Sequence, residues 1–229
     1  SLASAPLFAG AKNASRDLRL RGSSRRPVEK GWIFIRLEGS PFDIGYQHGF
    51  LLAPEIADTH RAVIHGLTHD SKPYEFFRDA VGKLFWPRVE AEYQQELQGM
   101  AAALKDKGIA LDIWDLVVLN ASLELPYYVN SLNPPKKAPI AERCSAFVAT
   151  GSYTRDGKIV AGHNCWTDYM SGSRWNIMFD IKPEKGHAFL MDGLPGLIHS
   201  GDDFGVTAAG LVITETTISQ FNGFDVNGI

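Results

Sequence analysis

Apolar residues along this chain follow two periods, a helical one in the first half and a strand-like one in the second. The run Trp32-Ile33-Phe34-Ile35-Arg36-Leu37, apolar and β-rich between Gly31 and Gly39, predicts a strand. Directly after it, Ser40-Pro41-Phe42-Asp43 supplies a side-chain acceptor, a proline with no N–H to leave unpaired, and an acid beside exposed backbone N–H groups. A helix is expected to start there. Ile44, Leu51, Leu52 and Ile56 give it one apolar face, and Pro54 should kink or interrupt it, because proline cannot donate to the carbonyl four residues back. A second helical stretch is expected from about Tyr74 to Leu104, with Phe77, Val81, Leu84, Phe85, Val89, Leu97, Met100 and Leu104 near helical spacing, a break at Pro87, and an end at Gly108. A third begins near Asp112, carries Ile113, Leu116, Val117 and Leu119, and stops by Pro126.

Residues 130–139 pack three prolines and two lysines into a stretch that can neither continue a helix nor sit in a central strand, so they read as an exposed linker. Beyond it the pattern is β. Ser145–Thr150 and Lys158–Gly162 flank the turn signal Asp156-Gly157, and Ile177–Ile181, Ala188–Met191, Phe204–Ala208 and Leu211–Thr217 follow as further antiparallel strands. The expected organisation is an exposed, arginine-rich arm (1–30), a mainly helical segment (31–129), a linker (130–143), and an antiparallel β part (144–229) that is incomplete at its C-terminal end.

Composition narrows the function. With 229 residues, 45% hydrophobic and 21% charged, the chain can bury a sizeable core. A net charge of −3 leaves no cationic excess for phosphates, so nucleic acid is not an expected partner. No stretch reaches the roughly 18–20 apolar residues that span a bilayer, and Ser1–Leu7 is too short for an intact signal peptide. Asn13-Ala14-Ser15 and Asn120-Ala121-Ser122 are glycosylation sequons of little weight. The two cysteines, Cys144 and Cys165, admit three readings: one disulfide, two buried thiols, or a reactive thiol.

Position favours reactivity at Cys144, which stands where the linker becomes the first strand. Cleavage before it would free an α-amine beside the thiol. Such an amine, with a reference pKa of about 7.7–8.0, can act as the nucleophile's own general base. Cys144-Ser145-Ala146, Gly162-His163-Asn164-Cys165-Trp166, Ser200-Gly201-Asp202-Asp203-Phe204, and Gly210-Leu211-Val212 with Glu215-Thr216-Thr217-Ile218 resemble, in order, motifs of the phospholipase B-like family. The wider pattern resembles penicillin acyltransferase-type and bile-salt hydrolase-type relatives, and Ser40–Gly49 is similar to the opening of the pro-segment in the acyltransferase branch.

The resemblance implies an α+β fold, the α-β-β-α sandwich of N-terminal-nucleophile hydrolases, here as its helical pro-segment and first antiparallel sheet. It implies cleavage at Arg143-Cys144 with Cys144 as nucleophile, and puts His163, Asn164, Trp166, Asp203 and Thr216 in or near the active site. His163 could bond the amine or a leaving group, Thr216 could orient the nucleophile, and Asn164 could donate to an oxyanion or simply be satisfied at a strand end. Trp166 replaces an aspartate of the broader pattern, so an acid beside the amine must come from elsewhere, Asp203 first and Asp168 second. Asp202 and Asp203 would point to opposite sides of an extended strand, and no three or four ligands stand at metal-like spacing; no metal or other cofactor is expected.

One geometric condition applies. A two-residue turn at Asp156-Gly157 would pair Thr150 with His163 and leave Cys144 about 20 Å away, at about 3.3 Å per residue. The implied site therefore needs a longer loop between Gly151 and Lys158, or a bulge.

The expected activity is hydrolysis of an acyl amide or ester through a thioester on Cys144, with lipid substrates and export (periplasmic, secreted or lysosome-like) implied by the resemblance alone. Trp166, Trp175 and Phe179 fit an acyl pocket or a core equally well. Further site residues would come from the remaining part of the enzyme, as a second chain or segment. An acyltransferase of the same fold, or a catalytically silent member that binds lipid or a partner, are the alternatives.

Overall fold

The computed structural model describes residues 17–69, 71–133, 144–200 and 204–216. In chain order its elements are β1 (Ser24–Arg25), β2 (Ile33–Gly39), α1 (Pro41–Leu51), α2 (Ala53–Thr68), α3 (Tyr74–Ala80), α4 (Ala91–Asp106), α5 (Ile113–Asn120) and α6 (Leu125–Leu132). After these come β3 (Ser145–Gly151), β4 (Gly157–Asn164), α7 (Tyr169–Gly172), β5 (Ile177–Pro183), β6 (Phe189–Gly193), β7 (Gly205–Thr207) and β8 (Val212–Ile213).

The helix starts follow the local chemistry. The Ser40 hydroxyl accepts from the Asp43 N–H at 3.2 Å at the head of α1. Asp112 and Asp115 form a reciprocal capping box on α5. Pro54 lies in the first turn of α2, where its missing N–H is harmless, and α1 ends just before it. Pro87 does not simply break a helix: α3 passes into a π-helical turn at Val81–Phe85 and a 3-10 turn at Trp86–Arg88 before α4 begins. Pro126 likewise opens α6 instead of closing α5, for the same reason as Pro54, and carries helix to Leu132, into the stretch read as linker. Residues 134–143 lie outside the described residues.

The sheet departs further from expectation. Strand order is β1-β2-β5-β6-β7-β8, and β2 runs parallel to β5 while the other neighbours pair antiparallel. The β part is therefore not one antiparallel run: two strands from the first half are added at its β5 edge, and β3–β4 form a separate two-stranded sheet. Burial explains the addition. Ile33, Ile35 and Leu37 stand beside Ile177, Phe179 and Ile181, all buried in one core with the helices. The opposite face pairs Arg36 with Asp180 at 3.7 Å and Lys182 with Glu38 at 3.0 Å.

Part of the stretch read as an exposed arm is anchored. The Arg19 guanidinium stacks 3.6 Å over the Tyr46 ring and pairs with Asp17 and Asp106, and Arg25 pairs with Glu55 at 2.6 Å. These contacts appear because Tyr46 and the acids come from distant sequence, which local patterning does not register.

Helices α1 and α4 pack unusually closely. A Cβ on Gly45 would overlap the Glu96 main chain, and one on Gly49 would lie 2.7 Å from the Met100 carbonyl oxygen. Half-buried beside this seam, the Glu96 carboxyl is pushed up to about 8 by burial and by the like charge of Glu92. The unfolded chain ionises this group near 4.5, so between pH 4.5 and 8 the unfolded state sheds a proton that the folded state keeps, and stability falls as pH rises. Glu96→Gln is expected to match wild type near pH 4 and exceed it by on the order of 2 kcal/mol at pH 8, after allowance for partial exposure. Urea unfolding at the two pH values checks this; an equal gain at both would sink it.

Candidate active site

The β3–β4 hairpin meets the geometric condition set by the sequence. Ser145 pairs with Asn164, Ala146 with His163, Phe147 with Gly162, and Gly151 with Gly157, with a register shift between Ala149 and Gly151. The turn is thus longer than two residues. Gly151 and Gly157, at φ +60° and +74°, take the left-handed conformations that let the chain leave and re-enter the ladder. This slides β4 along β3 and sets Cys144 beside the end of β4, where the Trp166 main-chain N–H donates to Cys144 Sγ at 3.5 Å.

Side chains alternate across a strand, so Ala146 and His163 share one face while Ser145 and Asn164 occupy the other. Continuing the register one pair sets Cys144 opposite Cys165, on the His163 face. No disulfide joins the two cysteines. His163 Nε2 is buried with no hydrogen-bond partner among the described residues. Asn164 is carried on the opposite face, so in this arrangement its side chain does not join Cys144. The Trp166 indole is 65% exposed, and its contact with the thiol is through the main chain. Thr216 is exposed, just beyond β8 in the other sheet, and no described contact joins it to Cys144. Arg143 and Asp203 lie outside the described residues.

Asp168 is already engaged. Partial burial pushes its carboxyl up, but the Ser171 N–H and hydroxyl and the Met170 N–H outweigh that and leave it below the usual range. It caps α7. Phe179 is fully buried, and Trp175 packs against Leu119, Leu194 and Leu197, so both belong to the core.

A polar clamp, not foreseen from sequence, fixes the loop after β6. His48, on α1, accepts from the Gly196 N–H at 3.0 Å; Asn120, at the end of α5, donates to the Gly196 carbonyl at 2.8 Å and accepts from the Ile198 N–H at 2.8 Å. Burial pushes His48 down to about 3, so its ring stays neutral and Nε2 remains an acceptor. Gly196 has φ +93°, and a Cβ there would come within 2.7 Å of Leu119. The clamped loop leads directly into Ser200 and residues 201–203. The Asn120 amide nitrogen also donates to the Leu116 carbonyl, so the sequon nitrogen is committed within the fold. Asn120→Ala is expected to cost about 2–4 kcal/mol, because backbone groups of the loop lose their partners in a buried setting. Thermal unfolding measures it, and secretion from a eukaryotic host should add no glycan at Asn120.

The phospholipase B family model matches residues 64–224, well over half of the 229 residues. The chain belongs to the phospholipase B family. An uncharacterized protein of Archaeoglobus fulgidus is 26% identical over 196 residues, covering 78% of this chain and 31% of that protein. Putative phospholipase B-like 3 of Caenorhabditis elegans is 27% identical over 149 residues, covering 60% of this chain and 25% of its own length. Phospholipase B-like protein C of Dictyostelium discoideum is 27% identical over 153 residues, covering 58% and 26%. The chain thus spans about a third or less of these relatives. The phospholipase B match takes in the Cys144 hairpin and the clamped loop, whereas Ser40–Gly49, the segment similar to the acyltransferase opening, precedes it.

Proposed function

We propose that this chain is part of a hydrolase of the N-terminal-nucleophile type, activated by cleavage of the Arg143–Cys144 peptide bond and acting on acyl amides or esters, lipid esters included. The observation that carries the reading is the slid hairpin, which holds Cys144 at the head of β3 against the His163-bearing strand. The family membership supports a hydrolase, and the names of the relatives support lipid as substrate.

In this mechanism the freed amine of Cys144 takes the thiol proton and the thiolate adds to the acyl carbonyl carbon. The tetrahedral intermediate collapses as the leaving amine or alcohol receives that proton, leaving a thioester on Cys144. Water, deprotonated by the same amine, adds to the thioester, and the fatty or other carboxylic acid departs as the thiol is restored. The Trp166 N–H, on the sulfur, helps to hold the nucleophile, and the unpartnered His163 Nε2 is available to the leaving group or amine. Asp203 is the proposed acid beside the amine. Acyl transfer would follow the same steps with another acceptor in place of water. The four-layer sandwich and an exported location belong to the same proposal.

Intact mass and N-terminal sequencing of the purified protein provide the test. A mature chain beginning Cys-Ser-Ala-Phe supports the mechanism, and an uncut chain with full turnover removes it.

A further inference from the structure

A cavity of about 250 Å3 lies between the start of α1, the first turns of α4 and the turn joining β5 to β6. None of its lining comes from the β3–β4 hairpin. Its walls are largely apolar, from Ile44, Ile181, Phe189 and Ile198. Its volume is just below the roughly 300–1,000 Å3 of drug-sized ligand pockets, which suits a small molecule or one end of a longer one.

The polar groups set the chemistry. Glu96, on α4, reaches the cavity half-buried and has no ion-pair partner among the described residues; the charge closest to it in effect is Glu92, of the same sign. Its carboxyl is protonated at neutral pH, so it offers an O–H donor and a carbonyl acceptor side by side. A cationic head would have only the exposed Glu92 as counter-charge, and to gain a second it would have to ionise the Glu96 carboxyl that burial and Glu92 hold protonated. An anionic head could reach the exposed Lys185 and His187, but it would meet the like charge of Glu92 on the same lining and would offer no donor to the Glu96 carbonyl. An uncharged head that both donates and accepts matches Glu96, and an apolar body matches the walls.

We propose that this cavity binds the end of an uncharged amphiphile, its aliphatic body against Ile44, Ile181, Phe189 and Ile198 and its hydroxyl- or amide-type head on the Glu96 carboxyl. The site is independent of the reaction at Cys144.

Octanol, which is not a substrate for acyl hydrolysis, serves as the probe, with octylamine and octanoate as charged counterparts of equal chain length. Saturation-transfer NMR and calorimetry on the full chain should show octanol binding more tightly than either. Glu96→Gln, which keeps an uncharged donor and acceptor, should bind within about twofold of wild type, whereas Glu96→Leu should bind about tenfold more weakly. Ile198→Trp, which fills the cavity, should abolish binding; if that variant does not fold, Glu96→Leu carries the test. No octanol binding, a preference for octylamine, or affinity unchanged in Glu96→Leu would each overturn the proposal.

Discussion

Cys144→Ala is expected to leave the chain uncut before residue 144 and to lower turnover by roughly 10⁴-fold or more, the scale seen when a covalent nucleophile is deleted. Both losses have one cause under the proposed mechanism. The thiol that attacks substrate is the group that attacks the Arg143 carbonyl in self-cleavage, and without cleavage no α-amine exists to accept its proton. Cys165→Ala separates nucleophile from neighbour. Cys165 stands opposite Cys144 when the hairpin register is continued by one pair, but it does not follow the linker. Its alanine variant should still be cut and retain substantial activity. Mass spectrometry of each variant, followed by an acyl-ester hydrolysis assay, reads both arms. A Cys144→Ala protein that is cut at the native rate would detach cleavage from this residue.

What the sequence revealed were features encoded within a few residues. The cap at Ser40, the helix start near Asp112 and the strand read over Trp32–Leu37, observed as Ile33–Gly39, were legible because each depends on hydrogen bonds and alternation spanning only a turn or two. The need for a longer turn in the hairpin was also legible, since strand rise per residue fixes how far Cys144 can stand from His163. Partner choice was not. Nothing in Ile33–Gly39 names β5 as its parallel neighbour; only the shared burial of Ile33, Ile35 and Leu37 with Ile177, Phe179 and Ile181 does so. The same limit hid the clamp, in which His48 reaches a residue 148 positions away and Asn120, read as a sequon, reaches one 76 positions away. Of the expected site, the structure gathers Cys144, His163 and the Trp166 main chain. It sets the Asn164 side chain on the other face and Thr216 just beyond β8 of the other sheet, because motif order along a chain determines neither which side of a strand a residue takes nor which sheet it lies near.

Gly99→Ala is expected to destabilise the fold by about 3–5 kcal/mol, against the helix-propensity trend, which by itself favours alanine by about 1 kcal/mol. The reason lies across the α1–α4 seam. A Cβ on Gly99 would overlap the Phe42 carbonyl oxygen and stand 2.9 Å from the Tyr46 nitrogen, and both are backbone atoms of a helix that cannot rotate aside. Gly45 faces the Glu96 main chain in the same way from the other helix. Relief requires moving the helices apart, which loosens Tyr46, Leu97, Met100 and Ala103, all at most 2% exposed, and leaves voids that the surrounding core cannot close. Gly66→Ala is the matched contrast. It also lies within a helix, α2, but is exposed, and a Cβ there would meet only the Met170 methyl at 3.9 Å, so propensity should dominate and stability should rise slightly. Urea denaturation of the two variants should therefore give opposite signs. If Gly99→Ala proved as stable as wild type, the helices could not be in backbone contact, and the anchoring of β2 and the clamped loop through α1 would need another explanation.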